Sequence, residues 1–62
     1  MNKQFTHHGV RFEPEHVNYN GRPATLWDVW QYSLAHRAWV HKTKISTARK
    51  ATKAQIIERA SV

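Results

Sequence analysis

Apolar and polar residues alternate along the first third of the chain. Val10-Arg11-Phe12-Glu13 sets one against the other, Pro14 interrupts, and Val17-Asn18-Tyr19 resumes the pattern. A period of two marks a half-buried strand. Asn20-Gly21 follows directly, a dipeptide suited to the type I′ turn of a two-residue hairpin, which needs positive φ at both positions. Arg22-Pro23-Ala24 then reads as a return strand, and Pro23 confines it to an edge or to a few residues. Residues 10–24 are therefore expected to form a small β element. Pro14, Gly21 and Pro23 all argue against helix in this stretch.

From Thr25 the apolar residues crowd together. Leu26, Trp30, Leu34 and Ala38 share the four-residue spacing of a helix face, with Trp27, Val29 and Tyr32 beside them. Thr25 and Asp28 resemble a capping box with Asp in place of Glu, and Asp28 suits the positive end of a helix dipole. The prediction is a helix over 25–43, apolar on most sides up to Leu34 and basic beyond it. Trp27 and Trp30 are assigned to the core and Trp39 to its margin. A helix apolar on most sides needs cover on most sides. A chain of 62 residues supplies little, so self-association as a homodimer through this helix is expected.

Ser46 and Thr47 are good caps, and the run Ala48 to Ala60 is rich in helix formers, which predicts a second helix over 47–60. Thr52 with Gln55 is also a capping box, and marks the alternative of a shorter helix starting at Lys53. The expected fold class is α+β: a short N-terminal β-hairpin followed by two α-helices, 25–43 and 47–60, open to helix-turn-helix-like packing. It forms one small domain over 1–62, with the polar residues 1–8 expected to fray.

Charge adds a partner to this picture. Ten Lys and Arg stand against four acids, a formal charge of +6, and no carboxylate lies between Asp28 and Glu58. That interval holds Arg37, Lys42, Lys44, Arg49, Lys50 and Lys53, with His36 and His41 among them. A basic stripe of this kind attracts phosphate backbones. In a helical setting Arg49, Lys50, Lys53 and Gln55 would reach a groove, where Arg and Lys read guanine and Gln reads adenine. Trp39 and Val40 are the candidate residues for docking on a protein partner, because Trp is a favoured interface anchor.

Other chemistries find less support. A domain of this size buries only about 60% of its unfolded surface, too little for a two-domain enzyme cleft. Glu13 and Glu15 share a face if their stretch is extended, but they are better read as partners of Arg11 or of the basic helices than as an acid–base pair. Two glycines leave no phosphate-cradling loop. His7, His8, His16, His36 and His41 lack metal-ligand spacing and are read as surface or interface residues. The absence of cysteine excludes disulfides and thiolate metal sites. No apolar run approaches the roughly 18 residues of a membrane span, the large aromatics lie mostly N-terminal to the cations rather than opposite them, and the N-terminus has no secretory leader pattern. A cytoplasmic setting without membrane contact is expected.

These readings converge on a small non-enzymatic DNA-binding accessory or regulatory protein, of a size common in bacteriophages and mobile elements. It needs no cofactor, has no catalytic or metal site, and favours duplex DNA over RNA. Its expected contacts are Arg37, Lys42, Lys44, Arg49, Lys50, Lys53 and Gln55. The alternative is an inhibitor or adaptor that docks on a host protein through its Trp-rich helix, at Trp39 and Val40.

Overall fold

The computed structural model describes residues 3–61. Strands β1 (Phe5–His7), β2 (Val10–Tyr19), β3 (Arg22–Ser33) and β4 (Ala38–Ala48) precede one helix, α1 (Lys53–Ala60). The strands form one antiparallel sheet in the order β1-β2-β3-β4, each beside its sequence neighbour. The expected fold class is thereby overturned: β3 and β4 occupy the place of the helix 25–43, and no helix-turn-helix is present among the described residues. The tail expected to fray includes Phe5–His7, which pair as β1; Met1 and Asn2 lie outside the described residues.

The hairpin at Asn20-Gly21 stands where the dipeptide placed it, with φ of 52° and 80°. Its return strand is twelve residues long. Hydrogen-bond phase explains how Pro23 is accommodated. In a two-residue hairpin the flanking pair, Tyr19 and Arg22, exchanges hydrogen bonds, and alternate pairs do so from there. Asn18 and Pro23 fall between, so Pro23 directs its nitrogen away from β2. The Tyr32 N–H donates to the Gly9 carbonyl at 3.2 Å, in phase with this count. Pro14, paired with Trp27, likewise turns its nitrogen from β3 toward β1. Each proline sits where the next bond of an outer ladder would form. Pro14 follows the last β1–β2 pair, Phe5 with Phe12, and Pro23 precedes the first β3–β4 pair, Ala24 with Ala48. With no N–H to give, they end those ladders.

Strand propensity explains the loss of the long helix. Thr25, Trp27, Val29, Tyr32, Trp39, Val40, Thr43, Ile45 and Thr47 are β-branched or aromatic, types that fit a pleated surface better than a helix. Thr25 is a fully buried strand residue instead of a cap, with Oγ1 3.4 Å from His16 Nδ1. Trp27 Nε1 donates to Thr47 Oγ1 at 2.9 Å, which places Thr47 in β4 instead of at a helix start. The second helix is correspondingly short. It starts at Lys53, from the Thr52–Gln55 capping box: Gln55 N–H donates to Thr52 Oγ1 at 3.2 Å and Thr52 N–H to Gln55 Oε1 at 2.9 Å.

One face of the sheet carries the core. Phe12, Trp27 and Val29 are buried under Ile56 of α1, with Phe5, Val10, Ile45, Ala51, Ile57 and Ala60 packed around them. Phe5 stacks on Phe12 at 4.7 Å between centroids and meets Trp27 edge-on at 5.6 Å. Trp30, expected in this core, points to the opposite face. A bulge between Val29 and Trp30 leaves Lys42 without an opposite residue on β3.

The β3–β4 turn, Leu34-Ala35-His36-Arg37, contains no glycine, proline or asparagine, and Arg37 adopts φ of 52°. A side chain in that region costs about 1–2 kcal/mol. Arg37→Gly removes this strain and is expected to stabilise the fold by about 0.5 kcal/mol, after the entropic cost of glycine is subtracted. Urea titration measures it. A loss of stability would show that the Arg37 side chain makes a contact worth more than the strain.

Candidate nucleic-acid interface

Strand parity sorts the charges. From the register, Arg11, Glu13 and Glu15 on β2 share the helix-free face with Arg22, Asp28 and Trp30 on β3 and with His41 and Lys44 on β4. Three of the four carboxylates therefore lie on this open face. Two of them are met there: Arg11 Nε is 3.3 Å from Glu13, His41 Nε2 is 2.9 Å from Asp28, and Lys44 Nζ is 3.8 Å from Asp28. Glu13 and Glu15 do share a face, and Glu13 does pair with Arg11.

The helix side differs. Lys42, Lys50, Lys53 and Arg59 lie on it or in the link that leads to it. Glu58 is the one carboxylate there among the described residues. Lys42 borders a cleft of about 290 Å³ between the end of α1 and the sheet, whose floor includes Phe12, Val29 and Ile57 and whose walls include His7, His8 and Ser61. The rings of His7 and His8 meet edge to face at 4.1 Å, with His8 at positive φ. Lys53 Nζ lies 5.4 Å from the Phe5 ring, and Arg59 Nε donates to the Ser46 carbonyl at 3.1 Å.

The expected contact set is thus divided. Lys42, Lys50 and Lys53 remain exposed on the helix side, and Arg37 is exposed at the hairpin tip. Lys44 belongs to the other face, beside Asp28. Arg49 turns inward, where its guanidinium donates to the Val17 carbonyl at 2.8 Å and the Ala24 carbonyl at 3.3 Å. It closes the end of the sheet where Pro23 stops the ladder. Gln55 spends its backbone N–H and side-chain oxygen on the cap. Arg59 joins the basic side, its Nε held at the Ser46 carbonyl on the edge of β4.

Trp39 and Val40 do not form one surface. Consecutive strand residues face opposite ways. Trp39 lies on the open face against Tyr32 and Arg11, and Val40 is exposed on the other. Among the described residues no three His, Asp or Glu side chains converge as a metal site, and no helix is long and apolar enough to cross a membrane. Comparison with known proteins returns no match to any family model, curated protein or solved structure.

Proposed function

We propose that this chain is a non-enzymatic protein that binds duplex nucleic acid, DNA in the first instance, through the phosphates and without reading bases. The sorting of charge carries this reading. Lys42, Lys50, Lys53 and Arg59 lie on the helix side or in its link with one acid among them, Lys53 toward β1 and Arg59 at the β4 edge, and Arg37 lies exposed at the hairpin tip. Lys42 lies in β4 and Lys50 in the turn just past its end, and the extended run from Lys42 to Ala48 spans about 20 Å at strand rise. Duplex DNA presents a charge every ~1.7 Å along its axis, so such a span meets several phosphates. The short α1 presents a mixed polar surface rather than a long groove-reading helix, which favours positioning contacts over base contacts.

Fluorescence anisotropy with labelled random duplex across a salt series tests this. Contact with about five phosphates predicts a log–log slope near −4.5. The triple variant Lys42→Glu, Lys50→Glu, Lys53→Glu is expected to weaken binding by a factor on the order of a hundred or more, while its circular dichroism stays that of the parent. Arg49 is kept out of this variant because its bonds hold the sheet end. No binding at low salt, or binding indifferent to the three reversals, overturns the reading.

A further inference from the structure

The open face of the sheet is the largest surface left without a role. Leu26, Trp30 and Trp39 are half-buried there, and Tyr32 is 41% exposed. The Arg11 guanidinium lies over Trp39 at 4.6 Å, and Trp30 meets His41 edge-on at 4.9 Å. We infer that this face packs against the same face of a second copy, about a twofold axis running along β3.

Size supports a missing partner. The chain exposes 4800 Å², against about 4,200 Å² for a folded monomer of its mass. Its radius of gyration is 12.1 Å, against about 10.6 Å for a compact chain of this length. The excess of about 600 Å² fits an elongated molecule with one sheet face uncovered, and a standard interface takes ~800 Å² from each partner.

Charge selects the occupant. The face carries Glu13, Glu15 and Asp28 against Arg11, Arg22 and Lys44, a balance that gives a phosphate backbone no net attraction. A twofold axis along β3 lays β2 of one copy over β4 of the other. Glu13, Asp28 and Lys44 form one row across the sheet, so Glu13 meets the partner's Lys44, and the contact repeats by symmetry. Asp28 and Arg22, both on β3, come nearest the axis and face their own copies, with Lys44 3.8 Å from Asp28 to offset its charge. The free edge of β4 is a poorer route to association. The bulge at Lys42 breaks its run and Arg59 occupies the Ser46 carbonyl, devices that block strand addition. The inference shares no residue with the phosphate-binding side.

Sedimentation equilibrium across micromolar concentrations is the test. The wild-type chain should be a dimer. Tyr32→Glu, at an exposed site near the hairpin tip, should give a monomer with unchanged circular dichroism. Glu13→Lys should weaken association about tenfold, and Glu13→Lys combined with Lys44→Glu should restore it. A wild-type chain that stays monomeric, or a dimer indifferent to Tyr32→Glu, overturns the inference. So does a double variant no better than Glu13→Lys alone. A monomer whose tryptophan fluorescence is quenched by oligothymidylate, and no longer so in Tyr32→Glu, would instead assign the face to stacked bases.

Discussion

Trp27→Ala is expected to leave the chain unfolded at room temperature. Trp27 is 1% exposed, central in β3, in edge contact with Phe5 and bonded through Nε1 to Thr47. Truncating a buried tryptophan costs about 3–5 kcal/mol. A chain of this length is stable by about 3–9 kcal/mol, and its thin core points to the lower part of that range. Among the described residues only the eight of α1 form a layer over this face of the sheet, so the vacated volume has few neighbours able to fill it. Far-UV circular dichroism and urea titration report the outcome. Trp27→Phe, which keeps most of the ring and loses the bond to Thr47, should cost about 1–2 kcal/mol and still unfold cooperatively. A Trp27→Ala chain that melts near the wild-type midpoint would show that the core is centred elsewhere.

Ile56→Ala should have the next largest effect, about 2–4 kcal/mol. Ile56 is 1% exposed and is the fully buried side chain through which α1 holds the sheet. An isolated helix of this length does not persist in water, so weaker docking is also loss of helix. Hydrogen exchange separates the two contributions. The amides of 56–60 should lose protection by a larger factor than those of Trp27 and Val29. The half-buried Ile57 should tolerate the same change at lower cost. Equal loss of protection everywhere would mean that helix and sheet unfold only together.

The contrast between residues 10–24 and 25–48 shows what can be read from the sequence. Alternation is visible in β2 because its open-face residues include Arg11, Glu13 and Glu15. It is hidden in β3 because both faces carry large apolar groups: Trp27 and Val29 on one, Leu26, Trp30 and Tyr32 on the other. A strand apolar on both faces looks continuous, and Leu26, Trp30 and Leu34 then mimic a helix stripe. The β3–β4 turn gives no signal either, since Arg37 takes the position where glycine or asparagine would have announced it. The two glycines that do occupy turns, Gly9 and Gly21, each have positive φ. At the other end, the Thr52–Gln55 box marks the start of α1, while the preference for a helix from 47 follows propensity alone. Of the basic residues, exposure alone was legible for Lys42, Lys50 and Lys53. The inward turn of Arg49 and the placing of Lys44 among carboxylates depend on strand register.

The meander also sets an order of events in time. Every strand pairs with the strand next to it in sequence, so each hairpin closes a short loop at small entropic cost. Hairpins of this kind form in about 1–10 μs. The return of α1 brings Ile56 back onto Phe12 and Trp27 across the length of the domain. Until α1 docks, the Phe12, Trp27 and Val29 side of the sheet lacks the cover that Ile56 gives it.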